Sequence, residues 1–397
     1  MVQFKSISSA SDLAINGAAS AFEEPLHVGR PNIGDSTAFL DLAKEILDRR
    51  WLTNNGPVVQ ELENRIAKEL GVKHCVAMCN GTVALEIMIR AVGLSGEVIV
   101  PSYTFIATVH ALHWQAITPV FADIDAQTHT LDPVAVRRMI TSRTTGILAT
   151  HLWGRACHTQ ALQEIADEHG LSLIYDAAHS FLCSSGNTSI GGFGRAEAFS
   201  FHATKFFNTF EGGAVTTNDD ELAAKMRLMR NFGFGGVDEV VYPGTNGKMS
   251  EICAAMGLVN LDQVEKVIEQ NKVNYDAYRE ALEGIDGLSI FPLEKGASNF
   301  QYVVMEVDPA FPASRDAIVE ALQAENILAR RYFWPGCHNM RPYRDLFPHA
   351  GLLLPVSETV ADRVIVLPTG TTLPEGATRI VRDVCRVLAS QQFESAP

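Results

Sequence analysis

Short apolar runs recur along the chain, each closed by a proline or polar residue. Glu97 to Val100 stops at Pro101, Thr118 to Phe121 before Asp123, Thr145 to Thr150 at His151, and Ser172 to Tyr175 at Asp176. Cys75 to Met78 is a further buried strand that runs into Asn80-Gly81-Thr82 and a helix over Val83 to Val92. Ala198 to Phe201 and Ala214 to Thr217 add two more strands. Ahead of them, Asn32 to Leu70 has helical spacing broken by a turn at Thr53 to Pro57, with Asp35-Ser36 as an N-cap and an amphipathic stretch at Val58 to Leu70. Short strands alternating with helices predict an α/β fold with a mostly parallel, doubly wound sheet. Ligands gather at the carboxyl ends of such strands, where Asp123, His151 and Asp176 fall. Helical spacing continues over Glu221 to Asn231 and over Ser250 to Tyr278, the latter long enough to be a spine between domains. Beyond about Gly284 the pattern changes, and Gln301 to Val307, Arg315 to Glu325 and Thr378 to Ser390 suggest a smaller α/β unit. The expected organisation is an N-terminal arm over 1–30, a large domain over 31–265 and a small C-terminal domain over 266–397.

Composition narrows the function classes. The chain has 397 residues, 47% hydrophobic and 20% charged, enough for one large and one smaller core. A formal charge of -14 argues against nucleic acid as a partner, while leaving room for a local basic site and an anionic substrate. No apolar run reaches the length of a membrane span, and Met1 to Ser20 lacks signal-peptide character, so no membrane association is expected. Seven scattered cysteines read as reduced thiols in a cytoplasmic protein.

Two residues carry the sharpest chemistry. Asp176 closes a strand, and Lys205 lies in Ser200-Phe-His-Ala-Thr-Lys205 just past the next one, beside Phe206-Phe207. A lysine amine and a buried carboxylate are what pyridoxal phosphate (PLP) needs, one for its aldehyde and one for its pyridine nitrogen. A surface lysine and a strand-end helix cap are the alternative. His179, on the turn after Asp176, could lie against a cofactor ring or be structural; Phe105 could cover the other face or be core. Asn80-Gly81-Thr82 opens a helix and, with Ser200, could hold a phosphate or act as an ordinary N-cap. Neither a Walker sequence nor a dinucleotide fingerprint is present. Cys157-His158 and Cys337-His338 lack metal-site spacing, so no metal is expected. Asp176 and His179 could join a serine in a hydrolase triad, but no Gly-x-Ser-x-Gly elbow exists.

Taken in order, these segments resemble the DegT/DnrJ-type sugar aminotransferases of PLP fold type I. The matches are Leu52-Thr-Asn-Asn-Gly-Pro57, Asn80-Gly-Thr-Val-Ala-Leu85, Pro101-Ser-Tyr-Thr-Phe105, Thr118-Pro-Val-Phe-Ala-Asp123, His151-Leu-Trp-Gly154, Asp176-Ala-Ala-His179, Ser200 to Lys205, Glu211-Gly-Gly213, Gly244 to Glu251 and Val366-Leu-Pro368. The resemblance implies that Lys205 bonds PLP and moves the substrate proton, that Asp176 pairs with the pyridinium, and that His179 and Phe105 sandwich the ring. It implies that Gly81, Thr82 and Ser200 hold the phosphate, and that Asn246 reaches the phosphate of a neighbouring subunit in a homodimer with shared sites. Lys248 stands where many relatives have arginine and could steady the donor carboxylate as a point charge. Arg330 and Arg331, in a segment like that of members aminating 4-keto-6-deoxy hexoses, are candidates for diphosphate contacts or a solvated basic face. The implied reaction is ping-pong: L-glutamate leaves its amino group on the cofactor as pyridoxamine phosphate, and a nucleotide-linked keto sugar, in the first instance a dTDP-4-keto-6-deoxyhexose, takes it up. A sugar dehydratase of the same family and a non-catalytic PLP-binding regulator are the competing readings. A generic α/β nucleotide binder would leave the ordered matches unexplained.

Overall fold

The apolar runs form a seven-stranded central sheet. Its strands are β1 (His74–Met78), β2 (Glu97–Pro101), β3 (Thr118–Ala122), β4 (Thr144–Thr150), β5 (Ser172–Asp176), β6 (Ala196–Ser200) and β7 (Gly213–Thr217), in the order β1-β7-β6-β5-β4-β2-β3. β7 is antiparallel to both its neighbours, and the remaining pairs are parallel. The structure is a computed structural model and describes residues 5–294 and 297–390. Residues 1–4 of the expected arm, and 295–296 and 391–397 of the expected small domain, lie outside the described residues.

Helices that pack with the sheet include α1 (Ser36–Arg49), α2 (Pro57–Leu70), α3 (Gly81–Val92), α4 (Ile106–His113) and α5 (Asp220–Met229). Asp35 caps α1 by accepting the Thr37 and Ala38 amides, and Asn80 caps α3 by accepting that of Val83. Successive residues of a strand point to opposite faces, and both faces of this sheet are covered. Val76 and Met78 of β1 pack with Met88, Leu112 and Met226 on one side. Cys75 and Ala77 pack with Leu62, Ile66 and Leu258 on the other. That double covering is why the centres of β1, β2 and β4 run apolar instead of alternating.

The helical stretch expected as one spine over Ser250 to Tyr278 is two helices, α6 (Glu251–Leu261) and α7 (Val264–Leu282). Every residue from Ala254 to Leu261 is buried, whereas α7 is amphipathic. A helix enclosed on all sides and one that keeps a wet face follow different paths, and the chain turns between them at Asp262–Gln263.

A second, antiparallel sheet of three strands, β8 (Leu288–Ile290), β9 (Val303–Val307) and β10 (Val364–Leu367), packs with α7, α8 (Arg315–Ala324) and α9 (Ala377–Ser390). Its core joins Tyr278, Val303, Met305, Ile318, Leu322, Ile380 and Val384 with Ile7, Leu13 and Leu26 from the N-terminal segment. Leu26–His27 adds a parallel pairing to Ile327–Leu328, and buried Glu325 accepts from Lys5 Nζ and from the Ala14 and Ala21 amides. The N-terminal segment is thus fastened to the C-terminal unit before it crosses to the central sheet.

Candidate active site

β5 delivers Asp176 to the carboxyl edge of the sheet, and the turn after β6 brings up Lys205, whose amide donates to His202 O at 2.8 Å. Lys205 Nζ donates to Tyr302 Oη at 3.2 Å. Burial brings the amine down to about 8, against the pull of the Asp176 charge. Asp176 is itself buried, which raises its carboxyl. Two donors oppose that rise: Thr108 Oγ1 at 2.7 Å to Oδ2 and the Ala178 amide at 3.0 Å to Oδ1.

His179 is buried beside them, its ring centroid 4.3 Å from Tyr302, 5.7 Å from Trp153 and 5.8 Å from Phe333. Burial, then the Lys205 charge, holds this imidazole well below its ordinary value, so it is neutral near pH 7. Its Nδ1 has no hydrogen-bond partner among the described residues. The Trp153, Phe333 and Tyr332 rings are stacked, Trp153 on Phe333 at 5.3 Å and Tyr332 on Phe333 at 5.1 Å, and form an aromatic wall. Phe105, at the N-cap of α4, is 57% exposed with its ring 6.4 Å from Phe333. It is therefore not core, which removes the plainer of its two sequence readings.

The first turn of α3 abuts the ends of β6 and β7. A Cβ on Gly81 would lie 2.8 Å from Ser200 Cβ, and one on Gly213 would lie 2.7 Å from Gly81 N. Glycine at both positions is what lets a helix N-terminus, with its unpaired amides, meet Ser200 and Thr82 hydroxyls. The segment Asn246 to Lys248 runs alongside: Lys248 bridges to Met78, and Gly247 O accepts the Cys79 amide at 2.8 Å, just before the Asn80–Thr82 turn. Asn246 is exposed and pairs with Asn231; Lys248 Nζ sits 4.5 Å over the Phe232 ring. Arg330 lies 5.3 Å over Tyr332, and Arg331 lies 4.8 Å over Trp334 and 3.2 Å from Asp316. Both arginines and Phe105 line one cavity of about 280 Å³ that runs from Thr104 to Met340.

Amine, carboxylate, aromatic faces and helix-N-terminal cradle fit PLP in the chemistry of their donors, acceptors and rings. The other two strand-end residues do not belong to this cleft. Asp123 accepts the Val356 and Ser357 amides, and His151 faces Glu197 at 3.1 Å with both side chains wholly buried. Buried polar groups need partners, and Asp123 has found them inside the fold, while His151 Nδ1 accepts the Cys157 amide at 3.1 Å. Sequence reasoning missed Tyr302 and Thr108, which carry no local signal. Trp153, Tyr332 and Phe333 lay inside segments singled out for other residues.

The DegT/DnrJ/EryC1/StrS aminotransferase family model matches residues 35–386. The dTDP-4-amino-4,6-dideoxy-D-glucose transaminase of Escherichia coli is 38% identical over 359 residues, covering 89% of this chain and 96% of that protein. The GDP-perosamine synthase of Caulobacter vibrioides is 33% identical over 356 residues, 88% and 93% of the two chains. Among solved structures, DesI in the presence of its TDP-sugar product superposes with a TM-score of 0.92 at 47% identity, over 96% of this chain and 97% of that one. A fold, an ordered series of motifs and relatives matched almost end to end agree: the chain belongs to the DegT/DnrJ/EryC1/StrS aminotransferase family.

Proposed function

We propose that the protein moves an amino group from L-glutamate to the keto carbon of a dTDP-linked 4-keto-6-deoxyhexose, giving a 4-amino-4,6-dideoxy sugar, with PLP as cofactor. The observation that carries this reading is Lys205, whose amine is held down to about 8 by burial at the edge of an aromatic-walled cleft, with Asp176 and His179 beside it. The names of the Escherichia coli relative and of the DesI structure support the thymidine nucleotide and the 4-amino product.

Bound PLP supplies an aldehyde carbon that accepts nitrogen and a ring that takes up negative charge. The chain's own residues do the rest. Lys205 Nζ removes the proton from the donor's α-carbon and returns one at the keto carbon, oriented by its hydrogen bond to Tyr302. Asp176 would accept from the pyridine N–H, His179 and Phe105 would lie against the ring, and Gly81, Thr82 and Ser200 would hold the phosphate. Neutral His179 adds no charge against the ring. Lys248 steadies the donor carboxylate, and Arg330 and Arg331 meet the diphosphate.

The working unit is a homodimer in which Asn246 of one protomer reaches the phosphate site of the other. Ile33, Leu40, Leu47, Trp51, Leu52, Phe232 and Phe234 are all exposed in the single chain, an apolar surface that a second copy would cover. Seven free cysteines suit a reducing compartment, and the cytoplasm is the proposed location; among the described residues no helix is long and apolar enough to cross a membrane.

The test is a two-stage turnover. PLP-loaded protein given L-glutamate alone should release a stoichiometric amount of 2-oxoglutarate and stop. Addition of dTDP-4-keto-6-deoxyglucose should then yield the 4-amino sugar and restart release, and the GDP-linked keto sugar should be the poorer acceptor. Glutamate left untouched while the sugar loses water would establish the dehydratase instead.

A further inference from the structure

Asp176 is served by a file of threonine hydroxyls. Thr108 Oγ1 lies 2.7 Å from Asp176 Oδ2, Thr104 Oγ1 lies 2.9 Å from Thr108 Oγ1, and Thr150 Oγ1 lies 3.3 Å from Thr104 Oγ1. All four residues are buried. They come from the end of β4, the end of β5, the loop after β2 and the first turn of α4.

The direction of every proton in this file follows from counting. An ionised carboxylate can only accept, so Thr108 must donate to it. A hydroxyl has one proton, so Thr108 can only accept from Thr104, and Thr104 in turn can only accept from Thr150. Three O–H dipoles therefore point the same way, each polarising the next toward Asp176. The file has little freedom to swing. The Cys337 thiol donates to Thr104 O at 3.3 Å, and the Cys337 amide donates to Ser102 O at 2.9 Å, which pins the backbone that carries Thr104. Oδ1 takes the Ala178 amide of its own turn. Both oxygens keep acceptor capacity for one more donor.

We infer that Thr108, backed by Thr104 and Thr150, is a positioning residue that keeps Asp176 ionised and oriented to accept from a protonated ring nitrogen. The inference rests on the PLP reading above and adds to it a device in this chain's own residues. Burial pushes the carboxyl toward its neutral form, and a neutral carboxyl would offer the ring a proton instead of taking a hydrogen bond from it. Phe105 caps the same helix three residues earlier, so one turn of α4 carries both the aromatic over the ring and the hydroxyl behind the carboxylate.

The experiment loads wild-type protein, Thr108→Val, Thr108→Ser and Thr104→Val with PLP isotopically labelled at the ring nitrogen and reads that nitrogen's magnetic-resonance shift. Thr108→Val keeps the shape and removes the donor, which should lower the ratio of ionised to neutral Asp176 by about tenfold to a hundredfold and move the signal toward bare pyridine. Thr108→Ser restores the hydroxyl and should return the wild-type signal. Thr104→Val leaves Thr108 in place but unsupported, and should give a smaller shift in the same direction. A pyridinium signal unchanged in Thr108→Val would overturn the inference. If that variant does not fold, an unchanged signal in Thr104→Val overturns it equally. Wild-type protein that takes up no PLP would instead overturn the cofactor reading on which the inference stands.

Discussion

A lysine amine in water gives up its proton only near pH 10.5, and Lys205 gives it up sooner. Burial disfavours its ammonium form more than the Asp176 charge restores it, which brings the group from 10.5 to about 8. The rate at which cofactor-free protein captures PLP should therefore rise as pH passes through about 8 and then level off, followed by absorbance after rapid mixing. A rate independent of pH across that range would show that the neutral amine is not limiting. The same shift bears on stability. Between about 8 and 10.5 the unfolded chain holds a proton that the folded chain lacks, so this group's contribution to stability increases with pH in that window. Lys205→Met should remove that increase from the cofactor-free melting curve. Lys205, Asp176 and Phe105 were legible because each lies at or just beyond the end of a short apolar strand. Tyr302 and Thr108 were not: they reach the site from 97 and 68 positions away from their partners, and one sits in an ordinary strand pattern and the other inside an ordinary helix.

Among the elements, α2 shows how the fold supports the site from a distance. Its N-cap is Gly56, which has no side chain to offer, and the cap comes instead from Glu251 at the start of α6. The buried Glu251 carboxylate accepts the Val58 and Val59 amides, both at 3.0 Å, and a Cβ on Gly56 would lie 2.5 Å from its Cδ. Hydrogen bonds to a charged group contribute about 1.5–3 kcal/mol each, so Glu251→Ala should cost on the order of 3 kcal/mol and lower the melting temperature by several degrees. Gly56→Ala should be destabilising by steric conflict alone, and the double variant should cost less than the two singles added, because each disrupts the same contact. Additive losses would mean that the two residues act separately. Glu251 was visible only as the last letter of a matched segment, since a cap supplied across more than 190 residues leaves no trace in local spacing. The break between α6 and α7 escaped for a related reason. Helical periodicity runs unbroken through Asp262–Gln263, and what changes there is burial, a property of the folded molecule.

At the scale of the whole molecule, the single chain leaves several large apolar residues uncovered and Asn246 exposed beside the Asn80–Thr82 turn, the proposed phosphate site. Ile33 is 68% exposed and Leu40 64%, and large apolar residues this open are candidates for an interface. Asn246, also exposed, lies in the segment beside the Asn80–Thr82 turn yet bridges to Asn231 within its own chain. The proposed two-fold partner would answer both, because an isologous interface covers the same surface on each copy and would let each Asn246 serve the other's site. Lys205→Ala and Asn246→Ala protein should each be nearly inactive as pure dimers. Co-expressed with different tags and purified as the mixed dimer, they should place both defects in one site and leave the other intact. Random pairing of equal amounts should then recover about a quarter of wild-type turnover, and the purified mixed dimer about half, as two-fold symmetry requires. Recovery depends on Asn246 acting across the interface: if it served the site of its own chain, every site in the mixed dimer would carry one defect and turnover would stay at the level of the parents.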